Sequence, residues 1–360
     1  MLSKILKGFV ILFTKPNIIG IILLSKFSFL IPDKPYLQLM YWLNMGKKLD
    51  LKNPKTFNEK LQWLKLYNHN PAYTVMVDKV KAKEYVAKLI GEEHIIPTLG
   101  VWDDPDDIDF DALPNQFVLK CNHNSGTGMC ICRDKSKLDI EKVKAELRKG
   151  LKENYFMRWR EWPYKNVPRK ILAEKFMVDT EQNKETITKG KLEELNDYKI
   201  FCFNGEPKVL FVASDRANKV CFDYYDMDLT ITLNMEKKKE EVTELTDYKW
   251  FCFNGEPFMM YVSHDNAEHA TTDFFDMNYN RLPLRMKDPN SDNPPAKPKE
   301  FEEMREYAKV LSRHIPFLRV DFYVISHKVY FGELTFFHNA GFCKVKPDKW
   351  NIKLGKLVKL

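Results

Sequence analysis

The sequence has no uninterrupted apolar run of the roughly 18 to 20 residues that a membrane-spanning helix needs. Its longest apolar stretch, KGFVILFTKPNIIGIILLSKFSFLIP near the N-terminus, is divided by Lys15-Pro16-Asn17. No small-residue cleavage site of the kind that ends a signal peptide follows it. We therefore expect neither a transmembrane helix nor a secretory leader in this segment.

A disulfide framework is also missing. The chain has 7 cysteines, an odd number, and they are scattered along the sequence rather than spaced like the paired cysteines of small secreted proteins. They are Cys121, Cys130, Cys132, Cys202, Cys221, Cys252 and Cys343. This pattern favours a protein of the reducing cytoplasm.

Positive charge is in excess only near the N-terminus. The first 60 residues contain ten lysines and three acidic residues, so they account for the whole formal net charge of +7. Lysines among aliphatic side chains predict a basic amphipathic segment, residues 1–50, that lies on an anionic membrane surface. A helical cap on the core is the alternative. Nucleic acid is not expected as a partner, because no recognised nucleic-acid module contains these lysines.

The remaining residues alternate between helical and strand patterns, which predicts an α+β fold with mixed strand pairing. Thr56 and Glu59 form a capping box ahead of the stretch FNEKLQWLKLY, so a helix begins there. In FVLKCNHNSGTG (117–128) the first half alternates like a strand and the second half consists of turn residues. A lysine at the junction, Lys120, could hold a phosphate.

One segment of the sequence occurs twice. LNDYKIFCFNGEP at 195–207 recurs as LTDYKWFCFNGEP at 245–257, and FDYYDMD is echoed by DFFDMN. The Asn-Gly pair between two strand patterns predicts a hairpin. We therefore expect a duplicated β-hairpin, residues 195–228 and 245–278, inside one domain rather than a solenoid, which needs more repeats.

Two acidic residues and a threonine mark the last predicted hairpin, residues 317–337. Glu333 and Thr335 share one face of their strand because side chains alternate, and they can point with Asp321 into one site. Magnesium is usually bound by one or two carboxylates together with substrate phosphates. The hairpin is thus a candidate metal site, with a solvated surface as the alternative.

Five stretches, in the order DKVKAK, FVLKCNHNSGTG, ILAEKFMV, NDYKIFCF and RVDF…GELT, resemble the ATP-grasp superfamily. From about residue 36 to the end, the chain resembles more closely the TupA-like ATP-grasp family, which is linked to teichuronopeptide and cell-surface polysaccharide biosynthesis. NPKTFNEKLQWLKLY, LPNQFVLKCNHNSG, DYKIFCFNGEP and YFGELTFF carry that resemblance. It implies an ATP-grasp fold, in which two α+β lobes sandwich ATP.

The resemblance also implies a division of the chain. Residues 1–50 would be the basic N-terminal segment, and residues 51–115 a helical region ahead of the ATP-grasp fold. Residues 116–178 would form the small lobe with the phosphate loop and the hinge. Residues 179–360 would form the large lobe, with the duplicated hairpin and the metal-binding hairpin.

The family pattern implies which residues meet the phosphates of ATP. Lys79 and Lys120 would contact them, and the loop Asn124-Ser125-Gly126 would fold over them with its backbone N–H groups, as anion-binding nests do. The alternative for Lys120 is a lysine that extends from the end of a strand into water.

The family pattern also implies which residues meet the nucleoside. Glu174, Lys175 and Met177 would form the hinge at the adenine edge, and Asp197 would hold the ribose hydroxyl groups. One ATP site has room for one copy of the repeated strand, so the second copy, with Asp247, competes for this role. The first copy follows the hinge more closely and is preferred.

The family pattern also implies that the last hairpin contains the residues for catalysis and metal binding. The resemblance implies that Arg319 stabilises the transferred phosphoryl group and that Asp321 and Glu333 hold Mg²⁺ between the phosphates. Thr335 stands where the wider superfamily usually has asparagine. The alternative for Arg319 is a surface ion pair. A zinc site is a further alternative, formed by Cys121, His123, Cys130 and Cys132.

The leading hypothesis is an ATP-dependent carboxylate–amine ligase that uses ATP and Mg²⁺ and acts through an acyl phosphate on a surface glycan precursor. This reaction needs no protein nucleophile, and the sequence has no Ser/His/Asp or Cys/His arrangement. One alternative is a glycosyltransferase whose D-x-D motif would be Asp226 and Asp228. Another is a catalytically silent scaffold.

Overall fold

The structure is a computed structural model that describes residues 16–177 and 299–360, with residues 284–286 and 297 between them. Between residues 197 and 282 it describes the backbone of the strands. Helices and strands both contribute, and the predicted α+β class is confirmed.

The α-helices that the structure describes are α1 (Pro16–Lys26), α2 (Asp33–Met45), α3 (Phe57–Tyr67), α4 (Ala72–Val77), α5 (Lys81–Ile90), α6 (Ile140–Lys152), α7 (Tyr155–Trp159), α8 (Phe301–Ser312) and α9 (Asp348–Leu357). The strands before residue 200 are β1 (Thr98–Trp102), β2 (Phe117–Cys121), β3 (Met129–Cys132), β4 (Ile171–Lys175) and β5 (Asp197–Phe203). The strands that follow are β6 (Glu206–Ser214), β7 (Cys221–Tyr225), β8 (Asp247–Phe253), β9 (Glu256–His264), β10 (Thr271–Phe275), β11 (Arg281–Leu282), β12 (Arg285–Met286), β13 (Phe317–Ile325), β14 (Lys328–Thr335) and β15 (Val345–Lys346).

A small antiparallel sheet has the strand order β1-β4-β2-β3. Along β2, Phe117 and Leu119 are buried, and the intervening Val118 and Lys120 lie on the other face. Helix α6 packs against the buried face through side chains that include Leu147. The apolar half of β2 therefore anchors the strand and leaves Lys120 on the face away from this core.

A larger sheet contains the hairpin formed by β13 and β14, which pair antiparallel. On its other side β13 pairs antiparallel with β5, from Leu318 opposite Cys202 to Phe322 opposite Tyr198. It also pairs with β8, near Phe317. Strand β13 of the candidate metal hairpin is thus paired on both sides, while β14 is the last strand of the sheet.

Helices α3 and α8 cover the main core beside this sheet. The capping box predicted at Thr56 and Glu59 is present at the start of α3. In α8, Met304, Ala308 and Leu311 recur with helical spacing and are buried. Apolar side chains of these two helices pack with those of the hairpin in one core cluster.

The N-terminal helix α1 differs from the sequence prediction. It is apolar around most of its circumference, with Asn17 and Lys26 near its ends, so the predicted amphipathic pattern is absent from this described part of the segment. The helix and the turn after it expose large apolar side chains, among them Phe27, Phe29 and Leu30. Within the part of the chain that is described, no helix combines the length and apolar character needed to cross a bilayer.

Candidate active site

Two lysines bind one buried glutamate on the small sheet. Lys120 of β2 and Lys83 of α5 place their Nζ atoms 2.5 and 2.6 Å from separate oxygens of Glu174. Val118 lies opposite Glu174, so Lys120, two residues further along, reaches it diagonally on the same face. Burial alone would raise the pKa of Glu174, but the Lys120 and Lys83 ammonium groups lower it to about 2. We call these three residues the lysine–glutamate cluster.

Sequence reasoning missed Lys83. Its Nζ also donates to the carbonyl oxygen of Ile96 at 2.7 Å and to the hydroxyl of Thr98 at 3.2 Å, so several partners fix the side chain. Burial lowers the pKa of Lys83. The available signal was its position four residues after Lys79 within DKVKAK, because that spacing brings two lysines to one side of a helical turn.

The predicted phosphate loop is held by hydrogen bonds from Lys79 and from the side chain of Asn124, which belongs to the loop. Lys79 Nζ donates to the carbonyl oxygen of Asn124 at 2.5 Å, and Asn124 Nδ2 donates to Thr127 Oγ1 at 3.1 Å. Ser125 and Gly126 are exposed at the tip, and Gly126 adopts φ +87°, which favours glycine. The side chain of Asn124 therefore shapes the loop, while Ser125 and Gly126 present its backbone to solvent.

A buried asparagine connects this loop to Lys79. Asn122 Nδ2 donates to Asp78 Oδ1 at 2.9 Å and to the carbonyl oxygen of Pro168 at 2.7 Å. The backbone N–H of Lys79 donates to the carbonyl oxygen of Asn122, and that of Lys170 donates to its side-chain oxygen. The position of Lys79 is thus set by the strand end that carries the loop.

The predicted hinge residues lie at the end of β4. Both carboxylate oxygens of Glu174 are bound by lysines, so its side chain supports Lys120 and Lys83 in addition to any role at the adenine edge. Lys175 is exposed, and Met177 is half-buried at the end of the described segment. Asp197 begins β5, and its side chain lies outside what the structure describes.

The last hairpin brings together an arginine, two carboxylates and a hydroxyl. Arg319 donates from Nε and Nη2 to the two oxygens of Asp321, both at 2.8 Å, and from Nη2 to Glu333 Oε1 at 3.1 Å. Thr335 Oγ1 donates to the same Glu333 oxygen at 2.8 Å. Asp321 is completely buried. We call these four residues the arginine–carboxylate cluster.

Strand register explains why these side chains meet. Asp321 lies opposite Glu333, and Arg319 lies opposite Thr335. Alternation places residues two apart on one face of a strand, so all four side chains share that face. Gly332 permits a close backbone approach, because a Cβ at this position would lie 3.0 Å from the carbonyl oxygen of Asp321.

The donors of this cluster suit magnesium. Two carboxylates and a neutral hydroxyl are hard oxygen ligands, and magnesium typically completes its shell with water and substrate phosphates. The guanidinium group of Arg319 already forms ion pairs with both carboxylates, so this face of the hairpin accommodates a cation. Asp321, Glu333 and Thr335 are thus the residues that would hold the metal.

Lys79 connects the two clusters. Burial lowers the pKa of Lys79, and its ammonium group interacts electrostatically with the carboxylate of Glu333, with Lys120 and with Glu174. The first of these residues belongs to the arginine–carboxylate cluster, and the other two belong to the lysine–glutamate cluster. Lys79 therefore interacts with charged residues of both clusters.

A buried lysine and a buried glutamate were also missed. Lys65 Nζ donates to the carbonyl oxygens of Trp159 at 2.9 Å and Ala340 at 2.7 Å. Burial lowers the pKa of Lys65 to about 7 and raises the pKa of Glu161 to about 7. Glu161 interacts electrostatically with Lys65 and with Glu333.

The residues considered as zinc ligands do not converge. Cys121 and Cys132 direct their thiols to backbone carbonyl oxygens, and burial raises the pKa of both thiols. His123 contacts the carbonyl oxygen of Glu153 at 3.1 Å. Across the described residues, no group of three or more His, Cys, Asp or Glu side chains is arranged to hold a metal.

Comparison with solved structures finds proteins of low sequence identity. D-alanine–D-alanine ligase from Helicobacter pylori is 12% identical, covers 85% of this chain and 70% of its own, and gives a TM-score of 0.38. Biotin carboxylase from Campylobacter jejuni is 11% identical, with coverages of 84% and 53% and a TM-score of 0.39. An ADP complex of N5-carboxyaminoimidazole ribonucleotide synthetase is 13% identical, with coverages of 79% and 52% and a TM-score of 0.34. The chain thus spans little more than half of the last two.

Comparison at the sequence level identifies the family. None of the curated proteins matches the chain significantly. The family model described as TupA-like ATPgrasp matches residues 59–237 and 223–359, which is most of the chain. The predicted ATP-grasp fold class follows from this match. The chain belongs to the TupA-like ATPgrasp family.

Proposed function

We propose that the protein is an ATP-dependent ligase that joins a carboxylate to an amine through an acyl phosphate, in the biosynthesis of a teichuronopeptide-like cell-surface polysaccharide. The observation that carries this proposal is the composition of the two clusters, with two lysines bound to Glu174 in one and two carboxylates bound to Arg319 in the other. A cationic cluster suits the phosphates of ATP, and an anionic cluster suits the metal that accompanies them. Family membership supports the same assignment.

In this proposal the small sheet binds the nucleotide. Lys79 and Lys120 contact the phosphates, and Glu174 orients Lys120 by its ion pair at 2.5 Å. The exposed tip, Ser125 and Gly126, covers the phosphates with backbone N–H groups while Asn124 holds the loop in shape.

The hinge side of the proposed site meets the nucleoside. The backbone near Glu174, together with Lys175 and Met177, borders the adenine, and Asp197 contacts the ribose. These positions follow β4 into the segment that leads to β5.

The reaction proceeds by two transfers. A carboxylate oxygen of the substrate attacks the γ-phosphorus, the bond to the β,γ-bridging oxygen breaks, and ADP leaves. Arg319 stabilises the negative charge that develops on the transferred group. The amine nitrogen then attacks the acyl carbon, inorganic phosphate leaves, and the nitrogen loses a proton. Asp321, Glu333 and Thr335 would hold Mg²⁺, which neutralises phosphate charge.

The first copy of the repeated strand is the better candidate to complete this site. β5 pairs with β13 over five residue pairs and places Lys199 opposite Asp321, whereas β8 pairs with β13 over two. We expect Asp197→Ala to weaken ATP binding and Asp247→Ala to leave it nearly unchanged. Calorimetric affinities of both variants decide this, and a loss confined to Asp247→Ala would assign the role to the second copy.

The ligase proposal is tested by product formation. ADP and phosphate release is measured with ATP, Mg²⁺, a uronic acid as carboxylate and glutamate as amine, with hydroxylamine added separately to trap an acyl phosphate as a hydroxamate. We expect turnover that requires both the carboxylate and the amine and that is lost in Arg319→Gln. Thermal stabilisation by UDP-sugars with manganese, and none by ATP with magnesium, would instead favour a glycosyltransferase. Asp226 and Asp228, the residues of its motif, lie outside the described residues.

We further propose a cytoplasmic protein peripheral to the inner face of the cell membrane. Ile22, Leu23, Phe27, Phe29 and Leu30 are exposed apolar side chains, and in the sequence they follow an N-terminus that contains several lysines. We expect the intact protein to bind anionic vesicles less as salt rises. Deletion of residues 1–30 should abolish that binding, and salt-independent partitioning would contradict the electrostatic part of the proposal.

A further inference from the structure

A cavity of about 500 Å³ lies apart from the residues assigned to ATP and metal. Three cations line it, Arg285, Lys344 and Lys346. Two aromatic residues, Trp159 and Phe342, line it as well. Its volume is that of a small-molecule site, for which ligand cavities usually measure roughly 300 to 1,000 Å³.

The strand register concentrates the three cations. Arg285 of β12 lies directly opposite Lys346 of β15, and like charges in that position destabilise a strand pair. Lys344 lies two residues before Lys346 and shares its side, while Val345 and Met286 between and beside them are buried. Apolar packing of those two side chains thus directs all three cations to the same open face.

Among the described residues, these three cations have no carboxylate partner. In the described part of the chain, no carboxylate forms an ion pair with Arg285, Lys344 or Lys346. Asp348, only two residues beyond Lys346, pairs with Lys47 at 2.5 Å instead. An anionic ligand would therefore relieve a repulsion that the fold leaves in place.

The aromatic wall can stack against a ligand. The rings of Trp159 and Phe342 have centroids 6.2 Å apart and planes inclined by 44°, so they form an angled apolar surface. Asn44 and Asn339 also line the cavity and offer carboxamide groups. Aromatic faces pack against the C–H face of a sugar ring, and carboxamides bind hydroxyl groups.

Helix α3 holds two of the segments that line this cavity. Lys65 Nζ binds the carbonyl oxygens of Trp159 and Ala340, and Gln62 Nε2 also donates to that of Ala340, at 3.2 Å. Asn339 and Ala340 have φ values of 47° and 52°, which non-glycine residues rarely adopt. The buried amide and ammonium groups of α3 therefore hold a strained loop that presents Asn339 and Phe342 to the cavity.

The cavity lies within reach of the candidate active site. The loop that forms part of its wall begins directly after Thr335, and four residues of chain span at most about 14 Å from Thr335 to Asn339. A ligand of more than one ring could extend from the cationic wall to the arginine–carboxylate cluster.

We propose that this cavity binds an anionic saccharide and is the acceptor subsite of the protein, an inference that rests on the proposed ligase function. Three cations select for more than one negative charge, the aromatic pair selects for a ring, and the carboxamides select for hydroxyl groups. The negative charge belongs to carboxylate or phosphate groups on the sugar.

The test measures binding to the full chain without ATP. We expect a short oligogalacturonate to bind, a maltooligosaccharide of the same length to bind at least about tenfold more weakly, and Arg285→Gln/Lys346→Gln to lower the galacturonate affinity by about tenfold or more, the loss expected for a charge-assisted hydrogen bond. Lys349→Gln, on the exposed start of α9, is the matched control and should bind normally. Equal binding of the charged and neutral sugars, or an undiminished double variant, would overturn the proposal.

Two further binding measurements identify the chemical group that carries the negative charge of the ligand. Tighter binding of glucose 1-phosphate than of glucuronate supports a phosphate-bearing sugar, and the reverse supports a sugar acid. Inorganic phosphate that binds as tightly as either sugar would overturn saccharide recognition. Loss of ATP binding in the double variant, with sugar binding intact, would show that the cavity belongs to the nucleotide. Because saccharide binding is measured without turnover, failure of the ligase assay leaves this result interpretable.

Discussion

Both clusters of the candidate site combine cationic side chains with carboxylates, but the ratio of the two is reversed between them. At the small sheet, Lys120 of β2 and Lys83 of the neighbouring helix α5 bind the single carboxylate of Glu174. On the last hairpin, Arg319 lies between the carboxylates of Asp321 and Glu333. The first cluster has an excess of one positive charge, and the second has an excess of one negative charge.

The difference indicates what each cluster can bind. Internal ion pairs hold the side chains in place, since buried charges are stable only when they are paired and hydrogen-bonded. By composition, the first cluster, with two lysines to one carboxylate, suits a phosphate, and the second, with two carboxylates to one arginine, suits a cation. Lys79 interacts electrostatically with Glu333 and Glu174, one carboxylate from each cluster.

The largest expected effect is on stability, from Asp321→Ala. This change removes the carboxylate that accepts two hydrogen bonds from buried Arg319. We expect the free energy of unfolding, measured with urea, to fall by about 3–5 kcal/mol. In Arg319→Gln/Asp321→Asn both partners are neutral, so much of the stability should return. A single variant as stable as the wild type would show that the pair does not hold the hairpin.

Glu174→Gln tests the opposite cluster. It keeps the shape of the side chain but removes the charge between Lys120 and Lys83, and we expect a loss of about 1.5–3 kcal/mol in the free energy of unfolding at neutral pH. Because the pKa of Glu174 falls from an ordinary 4.5 to about 2 on folding, its contribution is present above pH 4.5 and is lost as pH falls towards 2. The variant should therefore lose less stability than the wild type between these pH values. Parallel profiles would contradict this assignment.

Comparing Lys120→Ala with Lys83→Ala distinguishes a lysine that binds ATP from one that stabilises the fold. Lys120 is the more exposed of the two, with 24% of its side chain accessible against 12% for Lys83. We expect Lys120→Ala to weaken ATP binding by about 1.5–3 kcal/mol, the value of a charge-assisted hydrogen bond. Lys83→Ala should mainly lower stability. Calorimetric titration with ATP decides it, and unchanged affinity in a folded Lys120→Ala protein would leave Lys120 as a structural lysine.

The smallest effect is expected from Thr335→Val. The variant keeps the shape of the side chain but loses the hydrogen bond to Glu333 Oε1. We expect the Mg²⁺-dependent part of ATP affinity to fall by about 0.5–1.5 kcal/mol. Thr335→Asn, which supplies an oxygen at the same position, is the matched control and should retain Mg²⁺ dependence. A Thr335→Val protein with unaltered Mg²⁺ dependence would remove this residue from the metal site.

Local patterns in the sequence carry much of this site. The side chains of the last hairpin meet because alternation and a short connection place Asp321, Glu333 and Thr335 on one face, and both features are visible in the sequence. Lys120 was recognisable because it lies where a strand pattern gives way to turn residues. The bidentate bond from Arg319 to Asp321 also follows from residues two apart on one strand.

Contacts between distant segments could not be predicted in this way. Asn58, Gln62 and Lys65 recur with helical spacing, which usually indicates a solvated stripe, yet all three are buried. Lys65 binds the carbonyl oxygen of Ala340, 275 residues away, and only the folded chain brings that loop over the helix. The pairing of Lys83 with Glu174 is hidden for the same reason.

The most direct test of a single site formed by both clusters is calorimetric ATP binding with and without Mg²⁺, in the wild type, Lys120→Ala and Glu333→Gln. If the first cluster binds phosphate and the second binds the metal, Lys120→Ala should weaken ATP binding under both conditions. Glu333→Gln should weaken it only when Mg²⁺ is present. Equal losses from Glu333→Gln with and without Mg²⁺, or no loss from Lys120→Ala, would contradict the division of roles between the two clusters.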